Sequence, residues 1–519
     1  MNFKNISKNI IIWSVIVFLC GLSIRIYTLS LKKDLHEDEA LTVVLSNYSE
    51  MGWSILPEVD KAFTGKFLKQ LTYWNDGRAK DVLSDIKNLY IYTRDDSHSD
   101  IYYILTRLAF AGVDDFSIKN MVIRTGVLNL ILFSFAFFFM FKLLAILFKN
   151  RQELIPFGLF VAFFNTAAIS TTCYFRPYQL QQAAFILVTY YFVKLLLNEK
   201  INIYKISFSI ALAFLSGYYS LIYVGILAIV LFIKNINKML LAKIAGLSVI
   251  FTTICYPVYF LGLASYRAVE SLARSVDFAK NLYYSFINLP LIYLKYLFSI
   301  SLLIYLIYLG IEIFKNKLKT DETEKLIPLV FVLSFLWTVI VLVVAPYKIL
   351  RYIMPAFPLL SLIISYIISH YKKVFIQLII VITIFSLNYC LAVKFLKNPN
   401  IGKYIPIISR LDFLKNRIVD KFLFEENINL PVVILKPQEN PTIGEVLQIS
   451  DIMPYFNDNQ FYVFVNPNTK IEYPVFYMLI SKFPKENYSR LFLHYYEKHQ
   501  ILKFQNCSKL YTCLEIKNK

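Results

Sequence analysis

Long apolar runs recur along the chain, each near the roughly 20 residues that a helix needs to cross a bilayer. They fall at about 9–31, 121–148, 154–174, 177–198, 204–218, 219–233, 239–262, 288–314, 326–345, 352–370 and 374–393, which predicts eleven spans. The first is longer than the apolar centre of a signal peptide and lacks a small-residue cleavage site, so it reads as an uncleaved anchor. Residues 204–233 read either as two short spans about Gly217 or as one long tilted helix. Two segments break the pattern. Residues 32–120 form a long loop with acids, aromatics and short amphipathic stretches such as Asp100–Ala111. Residues 394–519 form a tail of mixed character. In that tail Pro431–Leu435 and Phe461–Val465 read as strands, Pro474–Lys482 as a helix, and Lys503–Lys517 as a hairpin carrying Cys507 and Cys513 on its arms. The fold class is an α-helical polytopic membrane protein, residues 1–393, followed by a soluble α/β domain, residues 394–519.

Composition agrees. Hydrophobic residues make up 57% and charged residues only 17%, against about 45–50% and about 25% in soluble domains. Mean hydropathy is +0.54. The net charge of +19 would suggest nucleic acid on a soluble chain, but its distribution changes that reading. With the N-terminus in the cytoplasm, sixteen Lys and Arg residues fall in the predicted inner segments against six acids, as the positive-inside rule requires. This places the loop and the tail outside, favours two spans in 204–233, and leaves no need for a nucleic-acid partner. Lys32 and Lys33, at the outer end of the first span, run against the rule. With 14 Gly and 6 Cys, collagen-like chains and disulfide scaffolds are excluded. Cys507 and Cys513 either pair in an oxidising compartment or stay as thiols; the other four cysteines read as packing residues.

Candidate chemistry sits at the predicted outer face. Asp34, Glu37, Asp38 and Glu39 crowd around His36 just after the first span. Such a run is ordinarily a solvated loop. Crowded carboxylates also suit a general base, because repulsion and partial burial raise one pKa, or a divalent cation. Basic residues gather at the same side: Arg124 at the start of the second span, Arg176 after the third, Lys348 and Arg351 between the ninth and tenth. A charge at membrane depth costs about 2.5–3.5 kcal/mol and therefore has a partner or a task. Snorkelling to headgroups accounts for each arginine singly, Arg25 above all. Acids facing basic groups at a lipid interface suit a phosphate-bearing lipid beside a hydroxyl to be deprotonated.

The Asp38-Glu39 pair soon after the first span resembles the catalytic motif of the GT-C membrane glycosyltransferases, in particular the protein O-mannosyltransferases and bacterial aminoarabinose transferases. Ser97-His98-Ser99-Asp100-Ile101-Tyr102-Tyr103 is similar to that family's His-Pro-Pro-Leu-Tyr-Tyr segment, with Ser99-Asp100 where the family favours prolines. Arg124 resembles the arginine opening the second span, and Arg176-Pro177-Tyr178 the Arg-x-Tyr element after the third. Arg351-Tyr352-Ile353-Met354-Pro355 with Pro358 resembles the late Arg-Tyr-x-x-Pro-x-x-Pro element. The match covers residues 1–393 through short motifs in a shared order.

The resemblance implies a polyprenyl-phosphate-linked sugar donor in a bacterial inner membrane and inverting transfer to an extracytoplasmic acceptor: glycolipid, lipid A, polysaccharide or protein. It implies Asp38 as general base, with Glu39 orienting the acceptor or a basic group. Arg176, Arg351 and Lys348 would hold the donor phosphate, and His98, Tyr102, Arg124, Tyr178 and Tyr352 would contact substrate. Trp53, Tyr73 and Trp74 offer stacking faces for a sugar or are interfacial aromatics. His36, Glu37 and Asp38 lack a defined ligand spacing, so no metal and no cofactor is assigned. Two other classes stay open. A lipid-linked glycan transporter would place ionisable residues within several spans; a non-catalytic binding subunit for a lipid-linked sugar would have no need of the Asp38-Glu39 pair.

Overall fold

The computed structural model of the chain describes residues 6–48, 58–73, 78–93, 95, 98–113, 115, 117–262, 278–316, 322–345, 347–370, 374–397, 409–414, 421–435, 452–466, 469–482, 485–507 and 511–518. It is mostly helical and divides into two compact units. One comprises Met1–Leu31, Tyr90–Tyr102 and Gly126–Asp412; the other comprises Lys32–Leu89, Tyr103–Thr125 and Phe413–Lys519. The sequence partition grouped the outer loop with the spans, whereas contacts group most of it with the tail.

Among the described residues, five helices are long and apolar enough to cross a membrane: Lys8–Ser30, Ile118–Leu147, Lys238–Cys255, Leu326–Val344 and Val374–Lys397. They become seven if two bent pairs each count as one span. Eleven spans are therefore not confirmed among the described residues, for physical reasons. Residues 204–233 form two helices, Ile203–Ser216 and Ser220–Ile233, of 14 residues each, about 21 Å at 1.5 Å per residue against a hydrocarbon thickness of about 30 Å. They part at Gly217, whose φ of +153° favours glycine. Helix Tyr178–Leu196 opens with Gln179, Gln181 and Gln182, all buried in protein. The run 288–314 is bent by 96° around a π-helical turn, Leu294–Phe298.

The run 154–174 is also broken, by 60°, between Phe163 and Thr166. A break inside an apolar span frees carbonyls that water cannot reach. Arg25, fully buried, supplies the missing donors. Its Nη2 donates to the carbonyls of Phe163 (2.9 Å) and Ala168 (3.4 Å), Nε to Thr172 Oγ1 (3.0 Å) and Nη1 to Gly21 (3.1 Å). The Phe133 ring lies 3.9 Å from the guanidinium. Arg25 does not snorkel; it pins the break.

The second unit is built on a six-stranded sheet with strands β1 (Ala62–Thr64), β2 (Val432–Leu435), β3 (Phe461–Val465), β4 (Val475–Ser481), β5 (His499–Asn506) and β6 (Tyr511–Asn518). The order is β1-β3-β2-β4-β6-β5. β2 runs parallel to β3 and β4; the other pairs are antiparallel. Two tail strands and the hairpin follow the sequence pattern, and Cys507 and Cys513 are joined as a disulfide. Pro474–Lys482 is a strand, not a helix. It lies centrally with both faces covered, so its side chains are apolar without alternation. Helix Lys485–Lys498 covers one face through Tyr488, Phe492 and Tyr495, against Val433, Val463, Met478 and Leu514. Phe456 stacks at 3.9 Å on Tyr462 of β3.

β1 comes from the outer loop and is stitched to the tail beyond its own ladder. Asp60 N–H donates to Phe464 O (2.8 Å), Gly65 N–H to Gln460 O (3.0 Å), and Lys69 Nζ to Asp458 Oδ1 (2.9 Å). A side chain at Gly65 would collide with the Asn457 carbonyl, so glycine is required there.

Candidate functional site

Five of the predicted residues converge in the first unit at the end of the broken span. Helix Thr166–Cys173 stops at Tyr174, and a short turn through Phe175-Arg176-Pro177 leads into Tyr178–Leu196. Pro177 fixes that turn and starts the next helix without needing an N–H. The turn is held from beneath. Asn129 Nδ2 donates to the carbonyls of Thr172 (2.9 Å) and Tyr174 (3.1 Å), and Tyr102 Oη donates to Asn129 Oδ1 (3.0 Å). Tyr102 is thus fully buried and acts as a support for the turn.

Above it, Arg176 Nη2 meets Asp95 Oδ2 at 3.3 Å and His98 Nδ1 at 3.2 Å, while His98 Nδ1 lies 3.1 Å from Asp95 Oδ2. One ring nitrogen faces two partners: protonated it donates to Asp95, unprotonated it accepts from Arg176. Tyr178 stacks on Tyr174, with ring centroids 5.6 Å apart, and meets the His98 ring edge-on. Arg351 reaches the same group, donating to Tyr174 Oη (3.4 Å) and Tyr352 Oη (3.1 Å), with its guanidinium 5.0 Å from the Tyr352 ring. His98, Arg176, Tyr178, Arg351 and Tyr352, named from separate motifs, are therefore drawn together around Tyr174.

Sequence reasoning missed Asp95, Asn129 and Tyr174. Asp95 had a signal, standing three residues before His98. Asp100 is also notable. Burial pushes its carboxyl up to about 8, against the weaker pull of N–H groups from its own residue and Ile101. Its Oδ1 has no hydrogen-bond partner among the described residues.

Lys348 and Arg124 stand apart. Lys348 Nζ donates to the carbonyls of Val343 (3.0 Å) and Ala345 (2.7 Å), closing the end of helix Leu326–Val344. Arg124 is exposed on helix Ile118–Leu147 and belongs to the second unit. No described hydrogen bond joins Lys348 to the cluster around Tyr174.

Asp38 and Glu39 also belong to the second unit, where helix Glu37–Ser46 begins with a capping box. Asp38 N–H donates to His36 Nδ1 (3.2 Å) and His36 N–H to Glu39 Oε2 (2.6 Å). Glu39 is wholly buried, and Lys32 Nζ contacts both its oxygens at 3.0 and 2.9 Å. The same ammonium donates to the carbonyl of Phe413, a residue in left-handed backbone at φ +66°. Tyr455 Oη donates to Asp34, and Lys33 N–H to Leu414 O (3.3 Å).

The adjacent acids therefore differ in kind. Glu39 is committed to the cap and to Lys32. Asp38 keeps 24% of its side chain open to solvent, 3.5 Å from His36 Nδ1. Ser97, Trp53 and Trp74, and the side chains of Glu37 and Tyr73, lie outside what is described. Among the described residues no group of His, Cys, Asp and Glu has the geometry of a metal site. The chain matches no family model, no curated protein and no solved structure.

Proposed function

We propose that the chain is a membrane glycosyltransferase of the GT-C kind that moves a sugar from a polyprenyl-phosphate donor to an extracytoplasmic acceptor. The observation that carries this reading is the gathering of two guanidiniums, a histidine and two further tyrosines around Tyr174. Guanidiniums recognise phosphate through paired N–H donors, and aromatic faces take the apolar face of a sugar. Asp38 is the proposed base, the member of the acidic pair whose side chain is 24% exposed, whereas Glu39 is wholly buried against Lys32. In the step, Asp38 takes the acceptor hydroxyl proton as that oxygen attacks the anomeric carbon. The bond from that carbon to the phosphate oxygen breaks, and its electron pair leaves on the polyprenyl phosphate, where Arg176 and Arg351 offset the charge. A single displacement inverts the anomeric centre. The Cys507–Cys513 disulfide supports an oxidising, extracytoplasmic tail.

The test is turnover of a radiolabelled polyprenyl-phosphate sugar by the purified full chain in a membrane extract holding acceptors. Asp38→Asn is expected to lower transfer about 10²–10⁴-fold with expression and insertion unchanged. Arg351→Ala is expected to raise the donor KM more than it lowers kcat. Full transfer by the Asp38 variant would remove the assignment, and donor binding without transfer by the native chain would favour a binding subunit.

A further inference from the structure

At the other end of the helices the first unit holds a cavity of about 740 Å³ that the glycosyltransferase reading does not use. It opens where helices Tyr178–Leu196 and Ser220–Ile233 end and helices Lys238–Cys255 and Leu326–Val344 begin. Its lining divides by polarity. Five leucines and an isoleucine form one wall, and Asn198, Asn235 and Asn237 supply amide groups beside Lys234 and Lys325. Glu199 is the sole acid in the lining, and it pairs with Lys194 at 3.2 Å. Lys234 and Lys325 have no acidic partner among the described residues. Asn198 and Asn235 adopt left-handed backbone, at φ +52° and +54°, to turn the chain at the cavity edge. Ile233 and Met239, 68% and 66% exposed, are the chain neighbours of the lining residues Lys234 and Leu240.

We propose that this cavity binds the phosphate of an anionic membrane phospholipid. A volume of this size is in the range of small-ligand sites. A cationic rim beside a leucine wall matches an amphiphile, with phosphate on the two ammonium groups and the start of an acyl chain on the leucines. Basic pockets between spanning helices hold lipid headgroups by this chemistry. The site concerns the end of the bundle remote in sequence from the Tyr174 turn, and it stands whether or not the chain transfers sugar.

The experiment uses the full chain reconstituted in nanodiscs of mixed phosphatidylglycerol and phosphatidylcholine, followed by detergent extraction and mass measurement of retained lipid. The native chain is expected to retain phosphatidylglycerol selectively. A Lys234→Gln/Lys325→Gln variant is expected to lose roughly thirtyfold of that preference, since each lysine contributes about 1 kcal/mol. Leu329→Trp, which fills the cavity without changing charge, should reduce retention as well. In a second arm, inorganic phosphate is compared with chloride at matched ionic strength in lipid-free detergent. A thermal midpoint raised by phosphate in the native chain and not in the double variant supports the phosphate site with a soluble occupant. Equal retention by the native chain and both variants, with no phosphate effect, overturns the proposal.

Discussion

Arg25 and Lys32 are both withdrawn from solvent, and they are satisfied in opposite ways. Arg25 meets carbonyls and one hydroxyl, spread over four donor directions. Lys32 meets a full carboxylate and one carbonyl. The difference follows from what each must repair. A broken span exposes several dipoles pointing different ways, which a planar fork of five N–H groups can reach together. A capping-box glutamate carries one concentrated charge that a compact ammonium can neutralise. The comparison teaches that burial of a cation says little by itself about chemistry: both of these hold backbone in place.

The largest effect is expected where a charge is left without its partner. Lys32→Met strands Glu39 in the interior and should destabilise the second unit by about 3–5 kcal/mol. A Lys32→Met/Glu39→Met pair should recover much of that loss. Chemical unfolding of the three variants measures it, and a double variant no better than the single one would mean that the cap, rather than the charge, dominates. Arg25→Met strands dipoles, so its cost should be smaller, about 1–3 kcal/mol, with Arg25→Lys only a partial rescue because one ammonium cannot reach all four acceptors. A loss equal to that of Lys32→Met would erase the distinction.

Asp100 sharpens the same contrast through pH. Its carboxyl is raised in the folded chain from the ordinary 3.8 to about 8. The stability it contributes is therefore full below about 4 and is lost as pH rises through about 8. The thermal midpoint should fall between pH 6 and 9 in the native chain, and Asp100→Asn should flatten that slope. An unchanged slope would place the titration elsewhere. The smallest effect is expected for Lys503, which meets Glu426 at 2.6 Å on the surface. Lys503→Ala should leave unfolding unaltered, since exposed pairs exchange one hydrated state for another.

Much of the architecture was readable from periodicity. The apolar runs marked the helices, and β2, β3 and the hairpin followed strand patterns. What escaped was set by distant partners. β4 is apolar on both faces because it is central, and no local pattern separates that from a buried helix. The short strand β1 has no signal of its own, and only pairing with β3 makes it one. At the candidate site, Arg176, Arg351 and His98 were legible as charges near span ends, but the hydrogen bonds linking them through Tyr174 and Asp95 were not. Glu39 and Asp38 look alike in sequence, since a capping-box acid and an accessible acid share one residue class. Arg25 near the end of a span reads as snorkelling unless the break beside it is known.

The pairing of Ala62 with Val463 also sets an order of events during synthesis. The strand leaves the ribosome early, and its partner follows only after every apolar helix has been made. Contacts of such sequence separation close late and slowly. Until residues 413–465 emerge, the turn bearing Asp38 lacks both the Phe413 carbonyl that orients Lys32 and the Tyr455 hydroxyl that ties Asp34. A chain interrupted before its tail would thus carry a buried-type lysine and glutamate without the Phe413 and Tyr455 contacts, and the last part to be translated completes one of the first parts to be made.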